Sequence, residues 1–372
     1  MVPVLLVSSS AKAAGSERVH LTLARRLPAF GFDPTPVLFE SGPLAEWLST
    51  AGRPATVIEV DSASPLRKAT RAVPRLRSFI RETGARAVFS SQSNTHIYAG
   101  LAAMSLGVPA AWWQHGSAAP SLRERVAAAI PAAAVICSSE ATRSAQRRLS
   151  PRRRVETVYP GIPLAEVRAW RGRGEAVRAR LGWGTAPVVG MVARLSPWKG
   201  QRTFLESASL VASQRPDVCF VVVGGALMGT EGNYPEELRR LATSLGIVDR
   251  VHFAGHVDAP YAWLDALDVV VHASRGEPFG LVIVEAMALG KPVICSHDGG
   301  PLEIIGEAEC ALTVPPGDAR SLGAAIRRAL EEPGLAAWLA SRAAMRAQAF
   351  AEERTAARLA AILTEVVDGR PG

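Results

Sequence analysis

The sequence is poor in the residues from which many functional sites are built. Its 372 residues include only four cysteines, four lysines and seven histidines. The cysteines are far apart and form no C-x-x-C pair, and three of them follow or sit within apolar runs. We therefore expect buried, reduced thiols rather than a disulfide or a metal site at Cys137, Cys219, Cys295 and Cys310.

Several longer patterns are also missing. No apolar run approaches the roughly 20 residues of a membrane-spanning helix, and the first residues lack the basic segment of a secretory signal. The sequence has no G-x-x-x-x-G-K-S/T phosphate loop, no G-x-S-x-G motif and no Asp-x-Asp pair. These absences argue against a nucleoside triphosphatase and against a diphosphate anchored through a metal ion. Any bound diphosphate should then be neutralised by protein cations.

Positive charge is concentrated in the N-terminal half. The formal net charge is +8, but residues 1–165 carry 20 Lys plus Arg against 10 Asp plus Glu, whereas residues 166–372 carry 22 against 24. The basic segments from Arg67 to Arg81 and from Arg143 to Arg154 could dock on an anionic membrane or an acidic acceptor, or could be solvated surface. Nucleic-acid binding is not expected, because recognition motifs and interleaved aromatic residues are missing. We expect a cytoplasmic protein, and docking through these segments would make it peripheral on the inner face of the cell membrane.

Short, continuous apolar runs alternate with amphipathic helical segments along the chain. This pattern is typical of parallel strands covered on both faces by helices, and it predicts an α/β protein with two doubly wound domains of six strands each. The break is expected within residues 160–187, which are rich in Gly and Pro and should hold at most one short helix. The predicted strands are 2–8, 35–39, 57–60, 87–90, 110–113, 134–137, 188–192, 219–223, 251–253, 269–272, 293–296 and 311–314.

The loop after the strand at residues 188–192 contains two cations. Arg194 and Lys199 are five residues apart, and a helix is predicted to begin near residue 200. The start of a helix favours anions through its free N–H groups and its dipole, so the loop could clamp a diphosphate. Alternatively, the two side chains are solvated beside a turn.

A second loop, after residues 269–272, contains two carboxylates. Glu277 precedes Pro278, a residue that suits the start of a helix, and Glu285 would lie two turns deeper in an otherwise apolar stretch. Glu277 could accept hydrogen bonds from sugar hydroxyls and Glu285 from a ribose diol. Alternatively, Glu277 caps the helix and Glu285 is satisfied internally.

Two segments of the N-terminal half carry weaker signals. His115 follows the predicted strand at residues 110–113, although a lone histidine is more often structural. Gly15 lies in the turn after the first strand, and this single glycine gives poor support to NAD or FAD binding, whose fingerprint has three.

Taken together, these segments resemble the retaining glycosyltransferases of family 4. The resemblance rests on GMVARL at residues 190–195 with Lys199 and Gly200, on VHFAGHV at residues 251–257, and on the E-x7-E element from Glu277 to Glu285 with GKPV at residues 290–293 and GGPLEI at residues 299–304. It extends more weakly to GSER at residues 15–18, to His115 and to VYPGI at residues 158–162. Two features depart from the family pattern, namely the single Gly15 and the lack of a carboxylate neighbour for His115.

The resemblance implies the GT-B fold, with two Rossmann-like domains facing a central crevice. Residues 1–165 would bind the acceptor, residues 166–349 the nucleotide-sugar donor, and residues 350–372 would return to the first domain. The implied catalytic residues are His115, Arg194, Lys199 and Glu277. The implied donor-binding residues are Gly15, Gly224, Gly255, His256, Val257, Phe279, Gly280, Leu281 and Glu285.

The resemblance also implies an activity. The enzyme would move a hexose-type sugar, with retention, from a nucleoside diphosphate sugar (UDP is the expected nucleotide) to an acceptor hydroxyl. The acceptor would be a glycan, a glycolipid or a small glycoside. The enzyme would need neither a metal nor a cofactor, because Arg194 and Lys199 would stabilise the leaving diphosphate. The alternatives are a GT-B-fold nucleotide-sugar epimerase and a non-catalytic protein that binds a nucleotide sugar or a glycan.

Overall fold

The computed structural model describes residues 1–12, 14–60, 64–116, 121–226, 232–257 and 259–369. The chain divides into two compact units, each built around its own parallel sheet. The first unit consists of Met1–Gly161 and Glu352–Gly372, and the second of Ile162–Ala351. The sequence analysis predicted the domain boundaries after residues 165 and 349.

The sheet of the first unit has seven described strands in the order β3-β2-β1-β4-β5-β6-β7. All neighbouring strands are parallel. The strands are β1 (Val2–Ser8), β2 (Phe32–Leu38), β3 (Thr56–Val57), β4 (Ala87–Ser91), β5 (Ala110–Gln114), β6 (Ala134–Cys137) and β7 (Val155–Thr157).

The sheet of the second unit has six described strands in the order β10-β9-β8-β11-β12-β13, again all parallel. Both orders reverse direction beside the first strand of the sheet, as in doubly wound folds whose ligands bind beyond the carboxyl ends of the strands. The strands are β8 (Val188–Val192), β9 (Cys219–Val223), β10 (Val251–Gly255), β11 (Val269–His272), β12 (Val293–Ser296) and β13 (Leu312–Val314).

Sixteen α-helices are described. They are α1 (Gly15–Arg26), α2 (Pro43–Thr50), α3 (Pro65–Thr83), α4 (Ser93–Met104), α5 (Leu122–Ala129), α6 (Glu140–Leu149), α7 (Leu164–Arg168), α8 (Gly174–Arg180), α9 (Gln201–Ala212), α10 (Tyr234–Ser244), α11 (Pro260–Ala266), α12 (Leu281–Leu289), α13 (Gly299–Ile305), α14 (Ala319–Glu331), α15 (Leu335–Arg346) and α16 (Glu352–Val367). Among the described residues, no helix is both long and apolar enough to cross a membrane.

The strands β1, β8 and β9 consist almost entirely of apolar residues, because both faces of each sheet are covered. In β1, Val4 and Leu6 belong to one hydrophobic cluster and Leu5 and Val7 to another, on the opposite face. Successive side chains of a strand point to opposite faces, so a strand buried on both sides favours apolar residues at every position.

The last helix, α16, packs against the sheet of the first unit. Leu359 and Leu363 lie in the same buried cluster as Val4. At the start of this helix, the buried Glu352 accepts a hydrogen bond from Thr22 at 2.8 Å and pairs with Arg26.

Several details of the sequence-based prediction were wrong. The strand β2 runs from Phe32 to Leu38 instead of from residue 35 to residue 39. The strand β7 was not predicted, because Val155–Thr157 is only three residues long and contains a glutamate. The strand β3 ends at Val57, although the buried Ile58 and Val60 still donate backbone hydrogen bonds beside β2. Between residues 160 and 187 the structure has two short helices, α7 and α8, instead of at most one.

Candidate active site

Three loops of the second unit are joined by backbone hydrogen bonds where β8, β9 and β10 end. The N–H of Leu195 donates to the carbonyl of Gly225 at 3.0 Å, and the N–H of Gly224 to the carbonyl of Gly255 at 2.8 Å. A Cβ atom at Gly224, whose φ is +141°, would lie 1.9 Å from the carbonyl oxygen of Ala193. A glycine is therefore required here, and the edge of the sheet presents a continuous surface of main chain.

Gly255, which ends β10, and the two residues after it lie beside this surface. A Cβ atom at Gly225 would be 3.2 Å from the Cβ of His256, so the two loops are in close contact. His256 is exposed, whereas Gly255 and Val257 are half-buried. The structure thus brings Gly224, Gly255, His256 and Val257 together.

Lys199 and Glu277, 78 residues apart in sequence, form an ion pair. Lys199 ends a short 3-10 turn after β8, and its Nζ lies 2.6 Å from Oε2 of Glu277 in the loop after β11. Their side chains are 17% and 8% exposed. The sequence predicted a diphosphate partner for Lys199 and a sugar partner for Glu277, and the structure shows that the two groups also hold each other.

His272, the last residue of β11, is the third member of this cluster. Its Nε2 lies 3.1 Å from Oε2 of Glu277 and 3.3 Å from the hydroxyl of Ser274. A carboxylate only accepts hydrogen bonds, so Nε2 must carry the proton. His272 is a functional candidate that the sequence reasoning missed. Its signal was a histidine in the apolar strand Val269–His272, five residues before Glu277.

The charge of Glu277 is fixed by these neighbours. Burial alone would raise its pKa, but the ammonium of Lys199 and the hydrogen bond from His272 outweigh burial and hold the pKa of this carboxyl well below its usual range. Glu277 is therefore a carboxylate at neutral pH, able to accept hydrogen bonds from hydroxyl groups.

The segment after Glu277 is an extended turn rather than a helix. Helix α12 begins at Leu281, with Gly280 preceding it at φ +106°. The prediction that Pro278 starts the helix was wrong, because the left-handed backbone at Gly280 interrupts a helix between Pro278 and Leu281. The buried Phe279 packs against Phe350 in an edge-to-face contact. Phe279 and Gly280 thus precede the helix, and Leu281 is its first residue. Their binding of the donor sugar stays a prediction.

Glu285 lies one turn into α12 and is buried. The sequence predicted Glu285 two helical turns beyond Glu277. This prediction was wrong, because the helix starts only at Leu281. Its Oε1 accepts a hydrogen bond from the hydroxyl of Tyr261 at 3.2 Å. Tyr261, on α11, was not predicted, because nothing in the local sequence links it to a residue 24 positions away.

Arg194 follows β8 in the same loop as Lys199. Its carbonyl oxygen accepts a hydrogen bond at 2.8 Å from the side chain of Gln201, the first residue of α9. This contact ties the loop to the start of the helix. The second unit thus contains Arg194, Lys199, Glu277 and Glu285.

His115 and Gly15 belong to the first unit. The ring of His115 follows β5 and stacks on Trp113 with centroids 5.1 Å apart. Although His115 is only half-buried by surface area, desolvation and, to a smaller extent, nearby His20 lower its pKa to about 3. The imidazole is therefore neutral at pH 7. Gly15 is the first residue of α1.

The surroundings of His115 differ from those of Glu277. The residue before it, Gln114, donates at 2.9 Å to the buried Glu124 of α5, which also accepts from Ser93 at 2.6 Å. His20 contacts the hydroxyl of Ser91 at 3.1 Å. These polar groups lie where β4 and β5 end.

The cysteines are separate from the polar groups described above. All four cysteines are free thiols, three of them buried and Cys219 half-buried. Among the residues that the structure describes, no group of three or more His, Cys, Asp or Glu side chains is placed to hold a metal ion.

Two family models match consecutive parts of the chain. The model described as Glycosyltransferase Family 4 matches residues 13–166, and the model described as Glycosyl transferases group 1 matches residues 175–350. The first lies almost wholly in the first unit and the second in the second unit.

Relatives with known names agree. The chain is 30% identical to a D-inositol 3-phosphate glycosyltransferase of Streptomyces avermitilis over 61% of this chain and 50% of the relative. It is 35% identical to the protein of the same name from Rhodococcus jostii over 55% of this chain and 45% of the relative. The chain therefore spans about half the length of the curated relatives it matches.

Solved structures extend the likeness over nearly the whole chain. A crystal structure of Anabaena HepE in complex with UDP and glucose matches with a TM-score of 0.88 and 26% identity, covering 98% of this chain and 100% of that one. The two parallel sheets, the two family models and these likenesses agree, and the chain belongs to the family 4 (group 1) glycosyltransferases with the GT-B fold.

Proposed function

We propose that this protein transfers a hexose-type sugar, with retention, from UDP-sugar to an acceptor hydroxyl. The observation that carries the proposal is the ion pair between Lys199 and the buried Glu277 where the strands of the second sheet end. In this pair, an ammonium that could bind a diphosphate lies beside a carboxylate that could accept hydrogen bonds from sugar hydroxyls. UDP and glucose are chosen because HepE, which is similar over its full length, was crystallised with both.

Lys199 and Arg194 would stabilise the leaving diphosphate. An ammonium has three donors, so Lys199 can bind a phosphate oxygen while keeping its contact with Glu277. Charge develops on the β-phosphate as the glycosidic bond breaks, and preorganised donors act most strongly on developing charge. These protein cations supply the charge without a metal ion, in keeping with the lack of an Asp-x-Asp pair.

Glu277 would bind the hydroxyls of the transferred sugar. With Lys199 and His272 both on Oε2, its Oε1 is the oxygen best placed for the sugar. A carboxylate whose pKa is held low by a cation is a weak nucleophile, so we assign it to binding. The departing phosphate would take the acceptor proton on the same face of the sugar, which retains configuration without a nucleophile from the enzyme.

Glu285 would accept hydrogen bonds from the ribose diol, oriented by the hydroxyl of Tyr261 on its Oε1. The main chain at Gly224, Gly255, His256 and Val257 would surround the base. His115, in the first unit, is neutral at pH 7 because its pKa is lowered to about 3, so it would act as a hydrogen-bonding group rather than as a cation.

A thermal-shift panel tests the choice of nucleotide. UDP, GDP, ADP and dTDP are compared at equal concentration, because a ligand that binds only the folded state raises its apparent stability by mass action. We expect the largest rise with UDP and a further rise with a UDP-hexose. A larger shift with another nucleotide would overturn the UDP assignment, and no shift with any of them would overturn the proposed donor site.

Release of the nucleotide separates the proposal from its alternatives. A glycosyltransferase frees UDP from UDP-sugar, slowly even when water is the acceptor. An epimerase returns the intact nucleotide sugar with changed stereochemistry, and a non-catalytic binder returns it unchanged. We expect free UDP and a sugar released first as the anomer of the donor.

A further inference from the structure

A buried carboxylate lies beside the strand that ends just before His115. Glu124, in the first turn of α5, is 5% exposed. Among the described residues its only ion pair is with Arg123, whose Nε lies 3.7 Å from Oε1 of Glu124 and whose side chain is 64% exposed. A buried carboxylate is costly unless its oxygens accept hydrogen bonds, so the donors around Glu124 indicate what holds it in place.

Both oxygens of Glu124 are bound by neighbouring loops. Oε1 accepts a hydrogen bond at 2.6 Å from the hydroxyl of Ser93, the first residue of α4, and Oε2 accepts one at 2.9 Å from the amide of Gln114, the last residue of β5. The backbone N–H of Glu124 donates to the hydroxyl of Ser121, which precedes α5. One carboxylate therefore joins the starts of α4 and α5 to the carboxyl end of β5.

The contact with Gln114 bears on His115, the next residue. Side chains alternate between the two faces of a strand, so Trp113 and Gln114 point to opposite faces. The ring of Trp113 stacks on that of His115, and its indole N–H donates to the hydroxyl of Ser138 at 2.9 Å. Glu124 binds Gln114 from the other face, so the end of β5 is fixed on both sides.

The turn before α4 is strained. Gln92 has φ +71° and ψ 155°, a combination that is rare for any residue except glycine. Its N–H donates to the carbonyl of Trp113 at 2.8 Å, and the next residue, Ser93, donates to Glu124. Backbone strain of this kind persists where surrounding contacts over-determine it, and it is concentrated at functional sites. Glu124 thus supports the strained turn together with the segment of His115.

We propose that Glu124 is a positioning residue for the transfer reaction and acts through Gln114 on the orientation of His115. The inference rests on the proposed function, which gives His115 a hydrogen-bonding role. A misplacement of about 1 Å can lower a rate on the order of 10²-fold, so a group that fixes His115 affects turnover without touching the substrate. The sequence shows no carboxylate beside His115, and the fold brings Glu124 to its neighbour.

The first test compares Glu124→Ala with Glu124→Gln. The rate of UDP release from saturating UDP-glucose is measured together with the shift of the melting temperature by UDP. Alanine removes both side-chain hydrogen bonds, and we expect the rate to fall at least tenfold with the UDP shift retained. Glutamine keeps an acceptor oxygen for Gln114, and its NH2 group can donate to Ser93, because a serine hydroxyl both donates and accepts. Glu124→Gln should therefore stay within threefold of the wild-type rate.

A double-mutant comparison separates positioning from general destabilisation. If Glu124 acts through His115, then Glu124→Ala should lower the rate less than twofold in a protein that already carries His115→Ala. Gln114→Met, which has a side chain of similar volume but no amide, should reproduce both results. This variant carries the test if Glu124→Ala does not fold.

Glu352→Ala is the matched control. Glu352 is also a glutamate in the first turn of a helix of the first unit, is 1% exposed and accepts hydrogen bonds from Thr22 and Arg26. Its replacement should lower the melting temperature but keep the rate within threefold of the wild type.

Four outcomes would overturn the inference. They are a rate within threefold of the wild type in folded Glu124→Ala, an equal loss in Glu124→Gln, the same fold loss with and without His115, and an equal loss in Glu352→Ala. Each of these leaves the proposed function standing, provided that the wild type releases UDP. A wild type that releases no UDP would sink the proposed function and, with it, this role of Glu124.

Discussion

At Glu277, burial and charge act in opposite directions. A carboxylate that is 7% exposed would normally be destabilised, yet Lys199 at 2.6 Å and His272 at 3.1 Å keep it charged. Such a group is already desolvated and oriented before a substrate arrives. This preorganisation is the property that a sugar-binding residue needs, because little reorganisation is left for the moment of reaction.

The first prediction concerns Arg194. Its replacement by alanine should weaken binding of UDP by roughly 10- to 150-fold, because a charge-assisted hydrogen bond contributes about 1.5–3 kcal/mol. The dissociation constant is measured by calorimetry. Arg202→Ala is the control, since Arg202 is the second residue of α9, is exposed and faces Glu206 at 3.8 Å. An unchanged dissociation constant in Arg194→Ala would contradict the clamp.

At the scale of elements, the sequence predicted the strands that carry the site and missed the contacts between them. Strands β8, β9, β11 and β12 were placed at their observed bounds, because a strand buried on both faces is uniformly apolar. The strand β7 was missed, since its only local signals are a valine and a threonine. Neither Tyr261 nor His272 was predicted as a partner of a glutamate, because these pairs form only when separate loops meet at one sheet edge.

The loop between β8 and α9 depends on a glycine. Gly200 has φ +81°, and a Cβ atom there would lie 2.1 Å from the carbonyl oxygen of Ala273, which follows β11. We predict that Gly200→Ala destabilises the protein by more than about 2 kcal/mol, because an unfavourable φ and a clash with backbone act together. The loop that holds Lys199 would also shift.

The matched control is Gly246→Ala. Gly246 has φ +69°, but nothing lies within 4 Å of a Cβ atom built there. The control should therefore lose only about 1 kcal/mol, the cost of the left-handed conformation alone. Thermal unfolding of the two variants is compared, and equal losses of stability would show that the contact with Ala273 is unimportant.

At the scale of the whole molecule, charge and chemistry are distributed between the two units. The half of the chain that contains most of the first unit carries the positive excess, whereas the half with the proposed donor site is nearly balanced. Under the proposed function, the donor's charge would be met by a few placed residues and not by the net charge of that half. The net charge of +8 alone could not have separated these roles.

Buried histidines should make the first unit sensitive to acid. Desolvation lowers the pKa of His20 and of His96 to about 4 from an ordinary value of 6.5. As the pH falls below 6.5, the unfolded chain takes up protons that the folded chain does not, so stability decreases between about pH 6.5 and pH 4. Each histidine contributes at most about 1.4 kcal/mol per pH unit.

Replacement of one of these histidines tests this prediction. His96→Asn should reduce the fall in melting temperature between pH 6.5 and pH 4.5, whereas replacement of the exposed His297 should leave the fall unchanged. His96 stacks on Trp112 and lies outside the proposed site, so its effect is on stability. An identical pH profile for wild type and His96→Asn would contradict the assignment of a neutral, buried imidazole.

The most direct measurement of the central claim is the rate at which Glu277→Gln releases UDP from UDP-sugar. Because Glu277 is placed on the sugar and not on the nucleotide, we predict a rate at least 100-fold below that of the wild type, with the thermal shift by UDP alone retained. Glu206→Gln, which changes a partly exposed residue of α9, serves as the control and should keep the wild-type rate. A folded Glu277→Gln protein that releases UDP within threefold of the wild-type rate would contradict the account.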